Sequence, residues 1–185
     1  MVQEIHQEVE HKMEMSLAAL HKELSRIRTG RASLALLDSI TLDYYGTSTP
    51  LNQMATLAVP ESRLITIQPW DKSQVGVIEK AIQRSDLGLT PTNDGNVIRL
   101  AIPPLTEERR KELVKRVKKI GEDTKIAIRN VRREGNEGLK ALEKDKQISE
   151  DDCHRAQDQV QSITNRFIAN VDEILSAKER EVMEV

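Results

Sequence analysis

Where the prolines fall limits this chain more than any other feature of it. All six (Pro50, Pro60, Pro69, Pro91, Pro103 and Pro104) lie in the middle of 185 residues, and none occurs in residues 1–49 or 105–185. A proline removes a backbone donor and clashes with the preceding turn, so helix interiors reject it. The two flanks are free to form long helices. The middle is not.

The flanks carry the matching periodicity. Val2, Ile5, Val9, Met13, Leu17, Leu20, Leu24 and Ile27 step by three or four residues, the spacing of one helix face. After Pro103-Pro104, Thr106 followed by Glu107 and Glu108 predicts a helix start. The seam expected beyond it is Leu113, Val117, Ile120, Thr124, Ala127, Val131 and Leu142. Ser149 with Glu150, Asp151 and Asp152 predicts a third start, followed by Cys153, Ala156, Val160, Ile163, Phe167, Val171 and Ile174. Three helices with one apolar stripe each satisfy one another as an antiparallel bundle.

The middle changes period. Ile40, Leu42 and Tyr44 alternate with polar residues, and strands are expected at Leu64-Ile65-Thr66-Ile67 and Val97-Ile98-Arg99-Leu100. Asn93-Asp94-Gly95 predicts a hairpin turn, and Val75, Ile78, Ala81 and Ile82 a short helix over 73–84. The fold class expected is α+β: residues 1–30 and 106–185 as a discontinuous long three-helix bundle, with residues 31–105 inserted as a small α+β domain. Two segments join them, Thr29-Gly30-Arg31 and Pro103-Pro104-Leu105. Glycine freedom opposed to proline stiffness fits a hinge, and a fixed angle between domains fits equally well.

Charge is segregated by element. Residues 106–147 hold 14 basic and 9 acidic side chains, and residues 148–185 hold 4 and 9. On a helical projection, Lys111, Lys115, Lys118, Lys125 and Lys140 fall within about 40° of Arg129, Arg133 about 40° and Arg132 about 60° from it. Ile120, Ala127 and Val131 fall about 160–180° away. A cationic stripe opposite the core can follow a phosphate backbone, because Lys and Arg displace condensed counterions. The plainer reading is a solvated bundle face. The Arg129-Asn130-Val131-Arg132-Arg133 cluster favours a polyanion, since guanidinium forks match phosphate.

Other chemistry is scarce. Four aromatic residues are too few for a base-stacking platform, and Trp70 is expected to be a packing anchor. Cys153, the single cysteine, allows no intrachain disulfide; its seam position predicts a small buried group in a reducing cytoplasm. Met1-Val2-Gln3-Glu4-Ile5-His6 has no signal-peptide character, and no segment is apolar enough to span a membrane. His6, His11, His21 and His154 lack ligand spacing, so no metal is expected. No phosphate-cradling loop precedes Lys-Ser/Thr, so no nucleotide or other cofactor is expected. With no catalytic constellation, the chain is expected not to be an enzyme.

Several motifs are then similar to one family. Arg26-Ile27-Arg28-Thr29-Gly30-Arg31-Ala32-Ser33, Tyr44-Tyr45-Gly46, Pro69-Trp70-Asp71, Ser85-Asp86-Leu87-Gly88 and Asp94-Gly95 are joined by Ile102-Pro103-Pro104-Leu105-Thr106-Glu107-Glu108-Arg109-Arg110 and by the Arg129 cluster. In this order, spacing and length the chain resembles the bacterial ribosome recycling factors over essentially all of its residues. The resemblance implies an L-shaped monomer of roughly transfer-RNA outline. Its bundle would bind ribosomal RNA of the large subunit, and its small domain would swing about the hinge. With elongation factor G, which binds and hydrolyses the GTP, such a factor splits post-termination ribosomes into subunits, freeing messenger RNA and deacylated transfer RNA. The family's RNA contacts carry over to Arg129, Arg132 and Arg133, and its basic positions to Arg28, Arg31 and Arg110; Lys118 and Lys125 are added from the stripe. The chain departs from the family at Leu34, where proline is common, at Cys153, and at Gly121, Gly135 and Gly138, each costing about 1 kcal/mol against alanine in a helix. The absence of an N-terminal extension points to a bacterial protein. A coiled-coil adaptor or chaperone-like bundle holding other proteins is the alternative, and it needs an exposed apolar strip.

Overall fold

A computed structural model describes residues 1–184. In chain order the elements are α1 (Val2–Ser25), β1 (Thr41–Tyr44), β2 (Thr47–Pro50), β3 (Ala55–Glu61) and β4 (Leu64–Pro69). They continue with α2 (Val75–Arg84), β5 (Pro91–Asn93), β6 (Ile98–Ala101), α3 (Glu107–Lys144) and α4 (Glu150–Met183). The chain forms two compact units, Met1–Ile27 with Glu107–Glu184, and Arg28–Thr106.

The first unit is the bundle of α1, α3 and α4. Contacts fix its directions: Lys12 on α1 meets Glu134 on α3 and Leu20 lies by Ile120, so these two helices run antiparallel. The α3–α4 turn begins as Lys146 takes a left-handed φ of 56°, and the Gln147 N–H reaches back to the Leu142 carbonyl at 2.9 Å. Ser149 then caps α4, its hydroxyl accepting from the Asp152 N–H at 3.1 Å. The α1 core residues are Val9, Met13, Leu20 and Leu24, with Ile27 just beyond; Val2, Ile5 and Leu17 from the expected seam are half-buried. On α4 the expected seam is buried except at its end, where Leu175 replaces Ile174.

The α3 seam is rotated from the one expected. Its buried residues are Leu113, Val117, Gly121, Ile128, Gly135 and Leu139, whereas Ile120, Thr124, Ala127, Val131 and Leu142 are only half-buried. The glycines are the reason. A Cβ at Gly121 would lie 2.9 Å from Leu175 Cγ and 2.7 Å from its Cδ2, and one at Gly135 would lie 2.6 Å from Val9 Cγ2. Neighbouring helices approach closest where α3 has no side chain, and that approach selects the buried face. At Gly138 the nearest atom, Ile5 Cδ1, would be 3.4 Å away, an ordinary contact. The helix nevertheless runs unbroken for 38 residues through all three glycines.

The second unit has a four-stranded antiparallel sheet of order β3-β4-β6-β5 and a two-stranded ribbon, β1-β2. Helix α2 buries Val75, Ile78 and Ile82 in a core with Ile65, Ile67, Ile98 and Leu100 of the sheet and Leu37, Ile40 and Leu42 before and within the ribbon. Strands β2, β3 and β5 go beyond the strands read from sequence. Each holds a proline at a tolerated place: Pro50 ends β2, Pro91 opens the edge strand β5, and Pro60 sits at the irregularity of the other edge strand, β3. The expected hairpin turn joins β5 to β6. Asp94 Oδ1 accepts from the N–H groups of Asn96 and Val97 at 3.0 and 2.9 Å, and Arg99 pairs with Oδ2 at 3.0 Å. Those bonds pull the Asp94 carboxyl down to about 2.

Candidate nucleic-acid interface

The cations of α3 differ mainly in whether a carboxylate occupies them. Lys115, Lys118, Arg129, Arg133 and Lys140 are exposed, and among the described residues none lies within 4.0 Å of a carboxylate. Projected at 100° per residue they fall within about 60° of one another and span roughly 37 Å of helix. Arg133 donates to Asn130 Oδ1 at 3.5 Å, and the half-buried Arg132 donates to Gln161 Oε1 on α4 at 3.3 Å. Both partners are neutral, so both guanidinium groups keep their full charge. Lys111 is paired with Glu107 at 2.9 Å, one turn away and exposed, where such a pair is weak.

The rotated seam changes the aim of the stripe. Its centre lies about 130° from the buried line through Ile128, not opposite it, so one border of the stripe runs along α4. Lys125 is on that border and is lost to it. Its ammonium lies 2.6 Å from Asp172 and 3.6 Å from Glu122, with 16% of the side chain exposed. The hydrogen bond to Asp172 raises its pKa above the ordinary lysine value. Lys125, expected to be an RNA contact, links α3 to α4 here with its charge already met by carboxylates. Arg110 departs in the same way: it projects with the buried residues, is half-buried, and its Nε is enclosed without a partner. Lys115 and Lys140 belong to the free set with Lys118; the signal for them was already in the helical projection.

Arg28 and Arg31 are exposed in the second unit. Between them Thr29 is buried and Gly30 adopts φ +76°, which proline cannot take. A Cβ at Gly30 would lie 3.2 Å from Leu105 Cγ, so the two connecting segments touch here. Both are tied down just inside the unit. The Ala32 N–H donates to the Ser62 carbonyl at 2.7 Å, and the Ile102 N–H to the Arg63 carbonyl at 2.9 Å. Pro103 and Pro104 follow that second tie and flank a shallow cavity with Arg63 and Ile102.

Two expectations about single residues have different outcomes. Cys153 is buried, and burial raises its thiol pKa. Trp70 is not a packing anchor: 66% of it is exposed, because its Nε1 is drawn 3.0 Å from Thr56 Oγ1 at the sheet edge. No helix among the described residues is long and apolar enough to cross a membrane. No group of three or more His, Cys, Asp or Glu among them could hold a metal ion.

The family model described as ribosome recycling factor matches residues 20–183. The chain belongs to the ribosome recycling factor family. The ribosome-recycling factor of Oleidesulfovibrio alaskensis is 60% identical over 178 residues, covering 96% of this chain and 97% of that one. That of Bacillus pumilus is 52% identical over 185 residues, the whole of both chains. A solution structure of the ribosome recycling factor superposes with a TM-score of 0.79 at 43% identity, covering 100% of this chain and 98% of that one. A second structure presents models for the T. thermophilus ribosome recycling factor and the E. coli elongation factor G bound to the E. coli post-termination complex. Its matching chain has a TM-score of 0.68 and 44% identity, covering 100% of both chains.

Proposed function

We propose that this chain recycles ribosomes in the cytoplasm. It binds the large ribosomal subunit after termination through α3, and with elongation factor G it splits the ribosome into subunits. Messenger RNA and deacylated transfer RNA are released. The GTP belongs to the elongation factor, and this chain contributes binding and leverage, not catalysis. One observation supports the reading: among the described residues, Arg129, Arg132 and Arg133 have no carboxylate within 4.0 Å, and neither do Lys115, Lys118 and Lys140 beside them. An RNA backbone supplies the phosphates that such a line lacks. Arg28 and Arg31 are secondary contacts. Thr29, Gly30, Arg31, Pro103, Pro104 and Leu105 are the hinge through which the rest of the small unit, residues 32–102, moves as one body. Its ties at Ser62 and Arg63 support that division.

The test is a salt titration of large-subunit binding. Arg132→Ala weakens binding by about 1.5–3 kcal/mol, as expected for a charge-assisted hydrogen bond. Removing Arg129 lowers the slope of log K against log salt by about 1. Binding indifferent to salt would contradict the proposal. A subunit-splitting assay with elongation factor G and GTP, wild type against Arg132→Ala, tests the activity directly.

A further inference from the structure

Lys125 and Arg132 stand at matching places on α3, and α4 answers them differently. They are seven residues apart, so their directions differ by about 20° and both face the same border with α4. Their partners on α4, Asp172 and Gln161, are eleven residues apart and again differ by about 20°. Lys125 meets a carboxylate there at 2.6 Å, whereas Arg132 meets an amide at 3.3 Å. Residues 148–185 hold nine acidic side chains against four basic. On so acidic a stretch, a neutral acceptor opposite the arginine is the feature to explain.

Stability does not explain it. Gln161 and its neighbour Asn165 are exposed, and Val160, Ile163, Thr164 and Phe167 close the α4 seam without either. The contact does set a geometry. Arginine carries donors only, so the Gln161 atom that faces it is Oε1. Gln161 Nε2 then donates to Asn165 Oδ1, one turn along α4, at 2.8 Å. The first contact fixes which way the amide faces, and the second keeps it there.

Two hydrogen bonds in series, from Asn165 through Gln161, thus restrain Nη1 of Arg132. Among the described residues nothing else accepts from this guanidinium, so Nε and Nη2 stay available to a phosphate. A long side chain that wanders in water must be ordered when a partner binds, and orienting it beforehand removes that cost. A carboxylate would also order it, but would answer the charge before any phosphate could. An amide orders the arginine and leaves its charge whole.

We propose that Gln161 is a positioning residue, holding the Arg132 guanidinium in place for an RNA phosphate without neutralising it. The proposal rests on the function above, in which Arg132 meets ribosomal RNA, and gives α4 a part in that contact. Large-subunit binding across a salt titration tests it. Gln161→Leu keeps the bulk and removes the acceptor. Affinity falls about two- to tenfold, the cost of ordering one freed side chain, and the slope of log K against log salt is unchanged because the guanidinium is still charged. Gln161→Glu keeps the shape and the acceptor but pairs with Arg132. Affinity falls by at least about tenfold and the slope drops by about 1. In the Arg132→Ala background Gln161→Leu has no effect, since no guanidinium is left to position. Gln161 is exposed, so neither of its variants lowers the thermal midpoint.

An equal loss from Gln161→Leu in both backgrounds overturns the proposal, because the amide would then act on the RNA or the bundle directly. Wild-type affinity and slope in Gln161→Leu and Gln161→Glu overturn it as well. A wild-type chain whose large-subunit binding ignores salt, or is untouched by Arg132→Ala, refutes instead the reading of α3 as the RNA-binding surface.

Discussion

Alanine at Gly121 pits helix propensity against packing, and the structure says which wins. In an exposed helix the change stabilises by about 1 kcal/mol. Here the new methyl would lie within 3 Å of both Leu175 Cγ and Cδ2, so the whole isobutyl group, buried to 8% exposure, must move. Overpacking of this kind costs about 1–3 kcal/mol. The net effect is destabilisation by roughly 1 kcal/mol, or about 2–4 °C in the melting temperature of the bundle. The background of Leu175→Ala reverses the sign. That variant alone loses about 2–5 kcal/mol, and adding Gly121→Ala to it restores about 1 kcal/mol, because the methyl now enters space the leucine vacated. A double-mutant cycle followed by far-UV circular dichroism reads the coupling, and the helices of the bundle dominate that signal. An equal, stabilising effect of Gly121→Ala in both backgrounds would refute the close approach of α3 to α4.

Lys125→Ala lowers bundle stability by up to about 1 kcal/mol and leaves the salt dependence of large-subunit binding unchanged, because Asp172 already holds the ammonium. Ser149→Ala removes the cap of α4 and costs about 1 kcal/mol in thermal or urea unfolding. The Asp94 carboxyl is depressed in the folded state, so its contribution is complete above the unfolded value of 3.8 and is lost as pH falls toward about 2. Acid unfolding of the small unit, followed by Trp70 fluorescence, therefore has a steeper pH dependence between those values in wild type than in Asp94→Asn. Equal curves would remove the turn from the acid response.

The bundle was legible wherever burial falls on large aliphatic residues, as in α1 and most of α4. It was misphased on α3 because a periodicity count passes over glycine. Gly121 and Gly135 act in the core by absence, and only the partner atoms Leu175 and Val9 reveal it. The small unit was legible in its central strands and helix. Its edge strands were hidden by Pro50, Pro60 and Pro91, which speak against a strand interior but not against its margins. Which cations share one face of α3 was legible, since that depends on helix geometry alone. The aim of that face relative to the core was not, because the seam was misphased. Which cations remain free depends on Asp172 and Gln161, 47 and 29 residues further along from Lys125 and Arg132, and no local pattern reports them. The ring of Trp70 was visible as a letter, but its exposure follows from a sheet edge.

The ties of Ala32 to Ser62 and of Ile102 to Arg63 fall on consecutive residues. The insert therefore begins and finishes at one corner, with its two ends no more than about 14 Å apart. A segment so arranged can be gained or deleted without lengthening the gap its host must bridge. Cutting out residues 32–102 and closing the gap with a few glycines would leave α1, α3 and α4 the same partners, which makes the small unit a cassette.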